Sequence, residues 1–301
     1  MAEEIGDIDG IGSTTEEKIR EKGIDSIDDL AQASVEEITG SGISESRAKD
    51  FINKAKQNAV IIQSGTEVEE EYRQYTTVST GIESLDEAME GGWEEEAVVS
   101  LWGESGCGKT QLAMKALVEA VKQTGKPGIY IETEKNRFRP QRIRDLSDGD
   151  DEILSNIHRV KAYGVDMQYN SYQKVIDSFD EASIVVVDSL TARIRLSDEF
   201  SDRSTLSQRS SLLGKHLEKI EDIGECLNCP VLFTNQAYQN PDSYGKNVIQ
   251  YGGALIRHTA QFFVHMSSKG DIHEAEVQQH PSTGDTSCMI DIQENDVVDV
   301  S

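Results

Sequence analysis

One run of eight residues narrows the fold more than any other: Gly103-Glu104-Ser105-Gly106-Cys107-Gly108-Lys109-Thr110. It fits G-x-x-x-x-G-K-[ST] in full. It follows the apolar segment Val98-Val99-Ser100-Leu101 and opens a helical pattern over 111–123. Strand, glycine-rich turn and helix in that order form a phosphate-binding loop. The glycines let the backbone N–H groups wrap phosphates, and the helix N-terminus adds a favourable dipole. Lys109 is then placed to bridge the β- and γ-phosphates of ATP, and Thr110 to hold Mg²⁺. Cys107 reads as a small filler. The alternative is a reactive thiol, because a helix N-terminus lowers a thiol pKa.

Such a loop belongs in a parallel α/β sheet, and the rest of the chain from Thr76 onward agrees. Residues 128–131, 183–187, 230–234 and 261–266 are further apolar strand candidates, with helical patterns between them. Strands buried on both faces indicate a mostly parallel sheet. From Ile272 the pieces are short and alternating, including Cys288 to Ile292, and read as a small antiparallel extension.

Three strand ends carry further chemistry. Ile184-Val185-Val186-Val187-Asp188 is an apolar strand closed by a carboxylate. About 80 residues after the phosphate loop, that is the Walker B pattern, and Asp188 can hold the Mg²⁺ water shell. Ile131-Glu132-Thr133-Glu134 ends the strand between the two motifs. A carboxylate there can polarise a water attacking the γ-phosphate. Alternation puts Glu132 and Glu134 on one side of the strand, so the pattern leaves both open. Thr234-Asn235-Gln236 ends the next strand, where Gln236 can hydrogen-bond a γ-phosphate and relay its presence onward. Cys226-Leu-Asn-Cys229 has metal-ligand spacing but no second pair in reach, so it reads as structural.

The first 58 residues read as a small all-α domain. Asp9-Gly10-Ile11-Gly12 and Ser41-Gly42-Ile43-Ser44 are glycine turns, each leading into a helix, over 14–22 and 45–58. Short helices over 26–32 and 35–39 lie between them. The two glycine turns between short helices resemble a helix-hairpin-helix domain, and that resemblance implies hairpin N–H groups presented to a DNA phosphate. A protein-interaction module is the alternative. Residues 59–75 read as a linker with a solvated charge run at Glu67 to Glu71, and 76–301 as the ATPase core.

The chain of 301 residues carries 29 Lys+Arg against 55 Asp+Glu, a formal net charge of −26. That argues against a generally basic nucleic-acid binder and against a coat for an anionic membrane. No apolar run reaches the length of a bilayer span, and Met1 opens onto acidic residues. The expectation is a soluble, cytoplasmic protein with no membrane association. An excess of carboxylates at low hydropathy also suits solubility in molar salt, where self-repulsion is screened over about 3 Å. The expected source is salt-loving.

Taken in order, GESGCGKTQ, YIETEKNRFRPQRI, VVVDSLTARIR, RSTLSQR, TNQA and YGGALIRHT resemble the archaeal RadA-type recombinases of the RecA superfamily. STGIESLDEAMEGG and the helix-hairpin-helix segment in front fit the same family. The resemblance implies a RecA-like ATPase core and assigns Glu134 as the catalytic carboxylate. It implies that Arg142 stacks on adenine and that Gln236 senses the γ-phosphate. It places Arg195, Arg203 and Arg209 in a first DNA-binding loop region, and residues 237–253, with Lys246 and Gly253, in a second. It makes His258 the link from that loop to ATP between protomers. The family assembles as a filament, or a ring, on DNA and exchanges strands between single-stranded and double-stranded DNA.

Local charge fits these loops. Residues 193–216 net +2, from five basic against three acidic side chains, and 237–260 net +1. Phosphate contact needs such positive side chains. Several positions depart from the family. Ile62-Gln63-Ser64-Gly65 stands where an aromatic docking handle is usual, and Glu132 where Asp is usual. Lys135-Asn136-Arg137 is one residue longer, and 267–274 lacks most of the family's basic residues. His280-Pro281 still resembles the turn that caps a neighbour's ATP. Two other readings stay open: a regulatory paralogue using ATP as a switch, and an ATPase that switches protein partners without binding DNA.

Overall fold

The computed structural model describes residues 4–40, 42–58, 63–196, 206–239, 248–282 and 284–300. It divides into two units, Met1–Gln74 and Tyr75–Ser301. Arg203, Lys246 and Ile62 lie outside the described residues.

In the first unit a single 3-10 turn, Ile5–Asp7, precedes helices α1 (Ser13–Arg20), α2 (Ile27–Gln32), α3 (Val35–Ile38), α4 (Glu45–Asn58) and α5 (Gly65–Tyr72). Capping boxes start two of the short helices. Ser26 accepts from Asp29 N and Ser34 from Glu37 N, each with the reciprocal carboxylate contact. Ile5, Ile19, Leu30, Ile38 and Ala48 are fully buried at the centre. The basic side chains fasten the turns: Lys54 Nζ donates to Asp9 O (2.7 Å), Arg47 to Gly10 O (3.3 Å), and Lys22 to Glu37 O and Thr39 O. The stretch expected as linker contains α5, and the charge run lies on it. Ser64 and Glu67 form the same reciprocal cap, with Ser64 N to Glu67 Oε2 at 2.6 Å.

The second unit begins with a two-stranded ribbon, β1 (Thr77–Val78) and β2 (Trp93–Glu94), around α6 (Glu83–Ala88). Then come β3 (Val98–Gly103), α7 (Lys109–Thr124), β4 (Gly128–Glu132), α8 (Pro140–Leu146), α9 (Asp151–Ser155), β5 (Ile157–Lys161), α10 (Val165–Ile176), β6 (Ile184–Asp188), α11 (Ala192–Leu196) and α12 (Leu206–Leu227). The chain ends through β7 (Val231–Gln239), β8 (Val248–Gln250), α13 (Gly253–Thr259), β9 (Phe262–Lys269), β10 (Ile272–Gln279), β11 (Thr286–Ile292) and β12 (Val297–Asp299).

The large sheet runs β12-β11-β10-β9-β3-β7-β6-β4-β5, with β8 paired to β7. From β9 to β5 every pairing is parallel, and from β9 to β12 every pairing is antiparallel. This is the expected mostly parallel α/β sheet with its antiparallel extension. The central strands β3, β4 and β6 are buried along their whole length, as their apolar runs require. One face packs against α7 through Val99, Leu101, Tyr130, Val186 and Leu232. The other packs against α10 and α12 through Val98, Ile129, Val185, Val231 and Phe233. β5 is the edge strand, and Arg159 and Lys161 charge it, which protects its open side from pairing with another chain.

A polar chain crosses the second face. Gln168 Nε2 donates to Leu190 O (2.9 Å) and to Tyr172 OH (2.8 Å), and that hydroxyl meets His216 Nδ1 at 3.2 Å. His216 is fully buried, and burial lowers its pKa from the ordinary 6.5 to about 4. The folded chain therefore resists a proton that the unfolded chain accepts. The stability this withholds is intact above pH 6.5 and drains as pH falls from 6.5 toward 4. Between pH 7 and pH 5 the loss is about 2 kcal/mol. Urea midpoints at the two pH values should show that loss in the native chain and a smaller one in His216→Gln. Equal losses would assign the acid sensitivity to other groups.

Candidate nucleotide and DNA site

The phosphate loop is shaped by what surrounds it. A side chain on Gly103 would put its Cβ 2.2 Å from Met266 O, and one on Gly108, at φ +95°, would stand 2.4 Å from Ile292 Cδ1. The β9 backbone leaves no room for a side chain at Gly103, and the left-handed φ of Gly108 favours glycine there. Cys107 is buried, its Sγ against the space a Gly103 side chain would need, so the filler reading describes its position. Glu104, Ser105 and Gly106 are exposed, and Ser105 and Gly106 line the cleft described below. Lys109 lies inside it, its Nζ donating to Gly103 O (2.9 Å) and Glu104 O (2.7 Å).

Thr110, first-turn residue of α7, donates its hydroxyl to Asp188 Oδ2 at 2.9 Å. Asp188 is 3% exposed. Tyr130 OH reaches the same oxygen at 2.6 Å, and Thr234 Oγ1 reaches Oδ1 at 2.5 Å. Burial, with Asp188 beside it, pushes the Tyr130 phenol well above its ordinary range, so it remains a donor. Three hydroxyls from three elements therefore orient one carboxylate. A hydroxyl and a carboxylate at this distance are the hard oxygen set that Mg²⁺ takes beside phosphates.

A cleft of about 470 Å³ opens in front of these groups, lined by Lys109, Thr110, Asp188, Glu134, Thr234 and Gln236 among others. The buried Ser189 Oγ and His273 Nδ1, both on lining residues, have no hydrogen-bond partner. Unmet buried polar atoms are rare in folded proteins and fit a site that receives a polar ligand. Together with the glycine cradle, they make the residues present suitable for a magnesium nucleotide.

The structure separates the two carboxylates that alternation had put together. β4 ends at Glu132, and Thr133 makes the last contact with β6, donating its N–H to Asp188 O (3.0 Å). Glu132 is fully buried. Its Oε1 accepts from Arg137 N (2.8 Å) and Phe138 N (3.0 Å), and its Oε2 from Arg159 (2.6 Å) and from the Tyr163 hydroxyl. Burial pushes the Glu132 pKa up, but these donors outweigh it and hold the carboxylate below its usual range. Its acceptor positions are occupied, and it does not line the cleft. Glu134 does line it, with Arg137 at 3.0 Å. The longer 135–137 segment closes the turn around Glu132.

Arg142 reaches the cleft through a neighbour, Gln111, which is one of its lining residues. It is 9% exposed and does not line the cleft. Its guanidinium donates to Gln111 Oε1 (2.7 Å), Glu294 O (2.5 Å) and Asp296 O (3.1 Å), tying α8 to α7 and the C-terminal strands. The arginines in the cleft lining are Arg137 and Arg139. Neither they nor His273 were singled out by sequence. Arg139 stands three residues before Arg142 in the same FRPQR run, and His273 is on β10, in a segment with no motif.

Gln236 lines a second cleft as well, of about 500 Å³, with Arg195, Arg209, Tyr238, Tyr251 and Gly253. Asn235 holds the floor between the clefts, accepting from Thr191 Oγ1 (2.8 Å) and donating to Tyr251 O (2.7 Å). Arg195, Arg209 and Gly253, expected from two separate loop regions, thus come together. His258 is exposed on α13. The cysteine pair splits: Cys229 is buried and burial raises its thiol pKa, while Cys226 is exposed. Among the described residues no group of His, Cys, Asp and Glu is arranged to hold a metal ion by itself. No helix among them is long and apolar enough to cross a membrane.

The chain was compared with known proteins. The Rad51 family profile matches residues 71–300, and that of the SAM-like helix-hairpin-helix tandem matches residues 2–57. The DNA repair and recombination protein RadA of Methanococcus maripaludis strain C6 is 31% identical over 326 residues, covering 99% of this chain and 100% of that protein. Its counterpart from strain C5 is 30% identical over the same span. The relatives cover 99% of the chain, and it belongs to the Rad51 family as a divergent, RadA-type recombinase with a helix-hairpin-helix domain in front.

Proposed function

We propose that the protein is a DNA-dependent ATPase that forms filaments on single-stranded DNA and promotes pairing and strand exchange with homologous double-stranded DNA. Family membership supports a recombinase role in DNA repair. The observation that carries the finer reading is Gln236, which stands in the wall of both clefts, one bearing phosphate-loop groups and the other two arginines.

In this reading Lys109 and the backbone of Gly103 to Gly108 hold the β- and γ-phosphates of ATP. Thr110 and Asp188 hold Mg²⁺, which neutralises phosphate charge when bound. Glu134 accepts a proton from the attacking water, and Arg137, 3.0 Å away, keeps it aimed. Gln236 meets the γ-phosphate on one side, and its position shifts the wall that Arg195, Arg209 and Gly253 present to DNA on the other. Arg203 and Lys246 add phosphate contacts. Arg142 acts beside the nucleotide by fixing α8, and His258 faces a neighbouring protomer's ATP. The acidic remainder keeps the chain soluble in high salt, so the few basic residues of the second cleft carry the contact with phosphate.

A second reading is a regulatory family member that uses ATP as a switch. One observation favours it: on the β9–β10 hairpin Lys269 is paired with Glu274 at 3.0 Å, and Glu276 adds another carboxylate. An anisotropy titration of a labelled oligothymidine, with and without ATP, tests the proposal. Wild type should bind more tightly with ATP, and Lys109→Ala should lose both nucleotide binding and that response. Binding that ignores ATP in wild type would contradict it.

A further inference from the structure

The second cleft holds a feature that phosphate contact does not explain. Tyr238 is 47% exposed, on the β7 side of the β7–β8 hairpin, where it pairs with Ile249. Among the described residues of the second unit it is the one large aromatic side chain left so open. Its ring shares the cleft lining with Arg195 and Arg209. One residue, Ala237, separates it from Gln236, so strand alternation sets both on one side of β7. On the same wall the Tyr251 hydroxyl is buried without a partner. An open aromatic, two guanidinium groups and an unmet hydroxyl in one concavity match a nucleobase with its flanking phosphate. Bases of any sequence stack on such a ring, and arginine adds phosphate and cation–π attraction.

We infer that Tyr238 is a stacking platform for a base of single-stranded DNA, with Arg195 and Arg209 on the adjacent phosphates. The inference rests on the proposed single-stranded DNA binding and deepens it. It has a physical consequence in a chain of net charge −26. Contacts to phosphate weaken as salt rises, because they are driven by counterion release. Stacking releases no counterions, so its share of the affinity persists at high salt. Tyr238 then supplies the part of the grip that salt does not screen.

The test is the affinity of a labelled oligothymidine, with a non-hydrolysable ATP analogue, across a KCl series. Tyr238→Ala should bind about tenfold more weakly at every KCl concentration, with the slope of log K against log salt unchanged. Tyr238→Phe keeps the ring and should stay within about twofold of wild type. Arg209→Ala should instead flatten the slope by about 0.7, one phosphate contact on a single strand. Wild type should also prefer oligothymidine over an abasic strand of equal length, and Tyr238→Ala should lose most of that preference. Tyr238→Leu has apolar bulk without a π face and should behave as the alanine variant. Unchanged binding of the ATP analogue checks that each variant is folded. If wild type binds DNA and the alanine or leucine variant binds equally well, the stacking inference is wrong and the ATPase reading stands. If wild type binds no single-stranded DNA at any KCl concentration, both are wrong.

Discussion

Glu134→Gln is expected to bind ATP as wild type does and to lose hydrolysis by about 10²–10⁴-fold, the range for a positioned general base. The substitution keeps the side chain's size and its ability to accept from Arg137, which lies 3.0 Å away, but removes the basic oxygen. Nucleotide affinity should hold, because the phosphate-loop groups and the Thr110–Asp188 pair are untouched. With hydrolysis stopped and ATP retained, the DNA-bound state should persist. The measurement is kcat by phosphate release, with Kd for ATP taken separately. A variant hydrolysing within about threefold of wild type would remove Glu134 from the chemistry.

Glu132→Ala should act on folding instead. The buried carboxylate holds the turn through Arg137 N, Phe138 N, Arg159 and Tyr163. Removing it leaves two backbone N–H groups and one end of an ion pair without an acceptor in a buried place. Breaking a buried pair costs about 3–5 kcal/mol. Arg159 is 31% exposed, so solvent screens part of the pair and the lower figure applies. A loss of about 3 kcal/mol lowers Tm by about 6–12 °C in a unit of this size. Glu132→Gln still offers an acceptor to the backbone and should lose less. Acid titration separates this carboxylate from His216. The folded-state pKa of Glu132 is depressed, so its contribution is present above the ordinary carboxylate range and is lost as pH falls through the folded value. The His216 loss begins earlier, below pH 6.5. A Glu132→Ala chain as heat-stable as wild type but slow in hydrolysis would reverse the roles given to the two glutamates.

These two residues also mark how far the sequence could be read. The phosphate loop, Asp188 and the central strands were legible because each couples a composition to a position: apolar runs for strands buried on both faces, and glycine where neighbouring backbone intrudes. The β5 strand was not, because an edge strand half open to water carries His158, Arg159 and Lys161 and lacks an apolar run. Helix α5 was hidden in a stretch of carboxylates, although Ser64 and Glu67 at cap spacing announce it. The choice between Glu132 and Glu134 depended on where β4 stops, and strand ends are set by tertiary hydrogen bonds such as Thr133 N to Asp188 O. For Arg142 the motif fixes the residue but not where its guanidinium points. Its partners Glu294 and Asp296 come from more than 150 residues away along the chain. His273 enters the cleft only through the β9–β10 register, which no local pattern encodes.

The account's central claim is that the two clefts meeting at Gln236 are coupled, so that DNA in one governs hydrolysis in the other. ATP hydrolysis by the full chain, with and without single-stranded DNA over a KCl series, tests it most directly. Stimulation by DNA is predicted, declining with rising salt as phosphate contacts weaken, and absent in Lys109→Ala. A hydrolysis rate that single-stranded DNA leaves unchanged at every KCl concentration would contradict the claim and leave an ATPase that answers to some other partner.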